Sequence, residues 1–158
     1  DILTAISIAE EYNLDYVIEH CTEGHKIADV LNEKSARVVI GPHLTAPSKV
    51  EIHGRKLENS GILANEENIT VCLTADTGSE TARLPMTIGM LMRRGLSEEK
   101  AIQGVTINPA KVLNLDHRVG SLEVGKDADI AVFDGHPFDS MTLCRLVMID
   151  GEIYKNTL

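Results

Sequence analysis

Apolar residues over the first stretch fall at Ile2, Ala5, Ile6 and Ala9, the spacing of one helix face, with Glu10 and Glu11 turned outward. That spacing predicts a helix over 1–11. Residues 15–20, Asp-Tyr-Val-Ile-Glu-His, form a short run of strand length. Residues 22–31 read as a second helix, with Thr22 as its N-cap. Arg37-Val-Val-Ile40 is rich in β-branched residues and bounded by Gly41 and Pro42, which predicts a strand over 37–41. A polar connection then leads to a helix over 54–64. A third strand over 69–75, Ile-Thr-Val-Cys-Leu-Thr-Ala, ends at Asp76. Helix and strand alternating three times is the rhythm of βαβ units, and so of a parallel sheet.

Two more helical stretches follow, 84–94 and 97–115. Ser97 is the N-cap of the second, with Glu98 and Glu99 in its first turn. From about Arg118 the pattern changes to short apolar runs separated by Gly and Asp. At 146–154 two apolar strands flank Asp150-Gly151, a strong hairpin signal. The chain therefore divides into an α/β segment, 1–117, and a small β segment, 118–158.

Composition narrows the classes. The 158 residues suffice for one ordinary core, and 43% hydrophobic residues argue against disorder. A formal net charge of -9 speaks against nucleic acid and anionic membrane as partners, since both recruit Lys and Arg. No apolar run approaches the roughly 20 residues of a membrane span. Cys21, Cys72 and Cys144 are odd in number, far apart and without a CxxC pair, so neither a cysteine zinc site nor a disulfide framework is indicated. A reducing, cytoplasmic setting fits. The chain opens at Asp1 and not at Met, so the reading expects sequence upstream that has been removed.

The candidate chemistry starts with His20 and Asp76, which each close a predicted parallel strand. In (β/α) barrels, side chains at the carboxyl strand ends converge on the active site. A neutral imidazole and a carboxylate suit zinc, and an aspartate near an activated water can take its proton. Alternation puts Tyr16, Ile18 and His20 on one face of the first strand, and Cys72, Thr74 and Asp76 together on the last. By spacing alone, a loop histidine at a strand end and an Asx-turn at Asp76 fit as well. His25 opens the helix after His20, and His43 follows the strand over 37–41 at the same face. Both are candidates for touching substrate, beside readings as helix-start and loop residues. His53, His117 and His136 read as surface or loop positions. Cys21 adjoins His20, but adjacent strand residues point to opposite faces, which opposes a nucleophile–base pair. Gly78 falls in a loop that bounds the pocket; neither a GxGxxG pattern nor a GxxxxGK phosphate loop occurs.

Four segments occur in order: Ile18-Glu-His-Cys-Thr-Glu-Gly-His25, Leu73-Thr-Ala-Asp76, Asn108-Pro-Ala110, and Gly120-Ser-Leu-Glu-Val-Gly-Lys-Asp-Ala-Asp-Ile-Ala-Val-Phe-Asp134. Together they resemble the amidohydrolase superfamily, in its imidazolonepropionase and prolidase-like branch, over essentially the whole chain. The resemblance implies an α/β fold, a (β/α)8 TIM-like barrel with one or two divalent metals at the strand ends, zinc foremost. It also implies a small composite β-sandwich built from both termini. By motif, His20 corresponds to the metal-binding histidine that ends the sixth strand. Asp76 corresponds to the aspartate that ends the eighth, binds metal and activates the hydrolytic water. The family's His-x-His on the first strand, its bridging residue on the fourth and the histidine closing the fifth have no match here. The resemblance thus implies a partial barrel, the last three strands and helices, from a metal-dependent hydrolase of cyclic amides, amidines or peptide-like amides. Such a fragment alone is expected to be inactive. The alternative is a catalytically inactive barrel fragment that serves as a binding or oligomerisation module. A small-molecule substrate and a homo-oligomer are implied, the latter because exposed strand edges pair readily.

Overall fold

The computed structural model describes residues 1–45, 49–76 and 78–158. Three strands, β1 (Ile18–His20), β2 (Arg37–Ile40) and β3 (Thr70–Leu73), pair in parallel in the order β1-β2-β3. The register sets His20 beside Ile40 and Ile40 beside Leu73, so the carboxyl ends of the strands lie abreast. β1 is shorter than the run over 15–20 because the residues before it serve Arg37. The guanidinium of Arg37 pairs with Asp15 and donates to the Tyr16 carbonyl at 2.7 Å, which takes that carbonyl away from a strand ladder.

The first helix, α1 (Ile2–Glu11), buries Ile6 and Ala9 as the spacing implies. The helix expected over 22–31 is broken. A 3-10 turn spans Gly24–Lys26, Ile27 adopts φ -137°, and α2 runs Ala28–Glu33. Thr22 caps nothing here, because the His25 N–H is taken by the side chain of Asn59 at 2.7 Å. A Cβ on Gly24 would lie 2.5 Å from the Cys21 sulfur. Tertiary contact therefore overrides the local helix signal. The helix expected over 54–64 reduces to α3 (Asn59–Ala64), preceded by a 3-10 turn at Val50–Ile52. Gly78, expected in a loop, opens the single helical turn α4 (Gly78–Thr81), and α5 (Leu84–Met92) follows with Pro85 in its first turn.

Ser97 caps α6 (Glu98–Val105) as expected, its hydroxyl accepting the Lys100 N–H at 3.3 Å. One helix was expected over 97–115, but the chain kinks at Thr106, φ -128° and ψ -91°, before α7 (Ile107–Val112). Pro109 cannot donate to the residue four before it and crowds that carbonyl, so an unbroken helix is disfavoured. Asn108 then pins the start of α7 to the sheet by donating to the Val71 carbonyl at 2.9 Å. Leu31, Val38, Leu63, Ile88 and Leu91 form the centre of the core, each 0 or 1% exposed.

β4 (Ile130–Phe133), β5 (Cys144–Ile149) and β6 (Glu152–Asn156) make a separate antiparallel sheet in the order β4-β5-β6. Asp150 and Gly151 join β5 to β6 with φ 51° and 80°, the two left-handed residues of a tight hairpin turn, as the Asp-Gly signal implied. Phe138 anchors this part to the first, buried in the main core, with its carbonyl seated where a side chain on Gly89 would be. Among the described residues, no helix is long and apolar enough to cross a membrane.

Candidate active site

The carboxyl edge of the parallel sheet carries the candidate residues. Strands spaced by about 4.8 Å put the ends of β1 and β3 roughly 10 Å apart, on either side of β2. His20 ends β1, and Asp76 lies three residues beyond Leu73. Both are exposed at this edge, and both have left-handed backbones, φ 64° for His20 and 63° for Asp76. Non-glycine residues held there cost of order 1–3 kcal/mol, and such strain collects at functional sites.

The ring of His20 is fixed. Its Nδ1–H donates to the Gly41 carbonyl at 2.5 Å; a carbonyl can only accept, so Nδ1 carries the proton and Nε2 keeps a free lone pair. Gly41 is required at this point. Its φ is 148°, and a Cβ would collide with the Thr74 carbonyl on the neighbouring strand. Asp76 donates its N–H to the Thr74 hydroxyl at 3.2 Å and keeps its carboxylate in solvent. The Asx-turn reading of Asp76 involves Thr77, which lies outside the described residues.

A small cleft of about 10 Å³ opens beside His20, with room for one water-sized sphere, and is lined by Thr22, Gly41, His43, Arg55 and Asn59. His43 is 7% exposed, and its Nε2 has no partner among the described residues. Burial pushes its pKa down to about 4, against a hydrogen bond with the Ile40 backbone that acts the other way, while nearby Arg55 adds to the lowering. Arg55 is itself occupied, with Nη1 donating to the Thr45 hydroxyl at 2.9 Å and to the Pro42 carbonyl at 3.4 Å. His25 faces Asn59, with Nδ1 3.3 Å from its amide oxygen, and its buried Nε2 is also unpartnered. The two histidines singled out beside the site thus each hold an unpaired ring nitrogen.

The His43 shift fixes a pH dependence. Its folded pKa of about 4 lies below the ordinary 6.5, so folding favours the neutral ring. The unfolded chain binds that proton first as pH falls. Stability is therefore complete above about pH 6.5 and declines toward pH 4, by up to about 3 kcal/mol. Replacing His43 with Gln should flatten that part of a denaturation-versus-pH curve; an unchanged acid limb would show that His43 does not cause it.

Among the described residues, no three His, Cys, Asp or Glu side chains gather as a metal cage. At this edge His20 offers an imidazole nitrogen and Asp76 a carboxylate, group types that divalent metals accept but fewer than the four of a full set. The family model for amidohydrolases matches residues 6–155. The chain belongs to the amidohydrolase family. An imidazolonepropionase of Streptococcus pyogenes is 35% identical over 104 residues, 64% of this chain and 23% of that protein. The crystal structure of an amidohydrolase from Thermotoga maritima superposes with a TM-score of 0.91 at 41% identity, covering 98% of this chain and 40% of that one. An adenosine deaminase from Xanthomonas campestris with bound zinc shares the fold, with a TM-score of 0.64 at 16% identity over 89% of this chain and 37% of its own. The chain thus spans under half the length of these relatives.

Within this amidohydrolase chain, the cysteines stand aside from the chemistry. Burial pushes the thiols of Cys21 and Cys72 up to about 11, which leaves them protonated and poor nucleophiles. Of the remaining histidines, His53 and His117 are exposed, as read from the sequence. His136 is a loop position, again as read, half-buried near the antiparallel sheet with its Nε2 3.2 Å from the Glu98 carboxylate. Asn59 went unrecognised in the sequence. It is 1% exposed and bonds the loop that follows His20; its one signal was a polar residue on the buried face of a helix that carries Leu63.

Proposed function

We propose that this chain is the carboxyl-terminal part of an amidohydrolase that hydrolyses a C–N bond in a cyclic amide, amidine or peptide-like amide. The observation that carries the reading is the His20 Nδ1–H bond to Gly41, which leaves Nε2 free at the same sheet edge as the exposed Asp76. The similarity to imidazolonepropionase and to the Thermotoga enzyme supports the reaction class. In this reading residues 1–117 are the last three strands and helices of a (β/α)8 barrel, and 118–158 contribute to a composite β-sandwich.

His20 and Asp76 would hold a divalent metal, zinc foremost, with the remaining ligands supplied from outside this chain. Bound there, such a metal would supply Lewis-acid activation of water and of the scissile C–N group near neutral pH. Asp76 accepts the proton of the attacking water and returns it to the leaving nitrogen, as base and then acid. His25 and His43 are the candidate substrate contacts, and their Nε2 atoms, enclosed and unpaired among the described residues, would have to become accessible to serve. Free cysteines at Cys21, Cys72 and Cys144 favour the cytoplasm. The open edges of β1 and β3 favour a homo-oligomer.

A second reading, an inactive barrel fragment kept for binding, is favoured by the absence of a complete ligand cluster among the described residues. Elemental analysis separates the two, on this chain and on a version extended upstream. The hydrolase reading expects about one or two metals in the extended protein, lost on His20→Ala, and little in the short chain. An extended protein that stays metal-free in added zinc would establish the binding module.

A further inference from the structure

His20 sits at the centre of a strained turn. The Cys21 N–H reaches the Glu19 carbonyl at 2.8 Å across a residue at φ 64°, the pattern of the rarer γ-turn, and Cys21 is itself left-handed at φ 41°. Two successive left-handed residues without glycine persist only where their surroundings hold them. The His20 ring and the Gly41 carbonyl make one brace. The other is Asn59, at the start of α3. Its Nδ2 donates to the Cys21 carbonyl at 2.9 Å, which also accepts the Gly24 N–H at 3.0 Å, while its Oδ1 accepts the His25 N–H at 2.7 Å. One buried amide thereby ties both ends of the Cys21–His25 loop to a helix that follows β2. Neither Cys21 nor His25 can shift without leaving a buried polar group of Asn59 unpaired.

We infer that Asn59 is a positioning residue: through the Cys21 carbonyl it fixes the turn that aims the His20 imidazole, with Nδ1 on Gly41 and Nε2 free. The consequence for metal binding rests on the proposed function; the orientation itself does not.

The experiment is nitrogen-15 NMR of the histidine rings of this chain at pH 8, for the wild type, Asn59→Leu and Asn59→Asp. Leu keeps the volume and removes both arms. Asp keeps an acceptor for the His25 N–H but turns an oxygen toward the Cys21 carbonyl. In the wild type, His20 is expected almost wholly as the Nδ1–H tautomer. In both variants the Nδ1–H to Nε2–H ratio should fall at least fivefold, since free imidazole prefers the other form, with His117 unchanged as the internal control. Unchanged His20 tautomers in folded variants would overturn the inference. Should the variants fail to fold, solvent exchange of the wild-type Asn59 side-chain amide decides. Exchange at least tenfold slower than for exposed Asn114 supports the brace, and equal exchange refutes it. Zinc titration of the same variants in the version extended upstream, since the short chain alone is expected to hold little metal, keeps the two readings apart. Zinc shifts at His20 that weaken about tenfold in the variants support both. If zinc leaves His20 untouched throughout while its tautomer still responds to Asn59, the metal reading falls and the positioning role stands.

Discussion

Asp76→Asn should lower kcat for C–N bond hydrolysis by about 10²- to 10⁴-fold in the extended enzyme, the range for loss of a general acid–base group. The substitution is unusually clean. Asp76 is exposed, and its φ of 63° suits asparagine as well as aspartate, since both short polar side chains visit the left-handed region. Its N–H bond to the Thr74 hydroxyl at 3.2 Å uses the backbone and survives the change. Stability should therefore stay within about 0.5 kcal/mol of the wild type. On the proposed function, what is lost is the capacity to take a proton from water and return it to the leaving nitrogen, together with a carboxylate for the metal, so metal content is measured beside kcat. Kinetics on the extended enzyme, beside a thermal melt, read both quantities. A variant that keeps more than a tenth of wild-type kcat would remove Asp76 from the proton-transfer role.

Gly41→Ala tests the scaffold at the same edge, and we expect a loss of about 3 kcal/mol or more. Two costs coincide at this position. A φ of 148° is nearly closed to residues with a Cβ, and that Cβ would meet the Thr74 carbonyl and lie 2.9 Å from its methyl carbon. The strand cannot yield cheaply, because the Thr74 N–H bonds the Ile40 carbonyl at 2.9 Å immediately before Gly41. If β3 gives way, Asp76 moves with it. If residue 41 rotates, His20 loses its carbonyl partner. For a chain of this size the melting temperature should fall by about 6–12 °C. Gly78→Ala is the control, since nothing lies within 4 Å of a Cβ there. Equal melting of the two variants would contradict the close approach of β2 and β3.

Much of the fold was legible. β2 and β3 were plain in the β-branched runs ending at Gly41 and Asp76. The Asp150-Gly151 hairpin and the Ser97 cap each follow from local chemistry that no distant contact opposes. The errors have two causes, distant side-chain hydrogen bonds and one proline whose local effect the periodic pattern concealed. The helix over 22–31 failed because Asn59, 34 residues on, took the N–H that a Thr22 cap would have served. The helix over 97–115 broke where Pro109 and the Asn108 bond to Val71 outweighed a periodic pattern. The site divides in the same way. His20 and Asp76 were visible as chemistry at strand ends, whereas Asn59 offered only its place on the apolar face of a helix, which does not say what its amide will bond.

The sequence by itself determined the order of elements, the parallel character of the first sheet, the placing of His20 at the end of β1 and that of Asp76 just beyond β3. Those properties depend on periodicity and turn chemistry, which act over a few residues. Only the tertiary structure decided the tautomer of His20, the neutral state of buried His43 and the need for glycine at 41. Each depends on what another strand or helix brings within a few ångströms: the Gly41 carbonyl, the enclosing loop and the Thr74 carbonyl. Hydrogen bonding, desolvation and steric overlap are short-ranged in space but blind to distance along the chain, so no local pattern announces them.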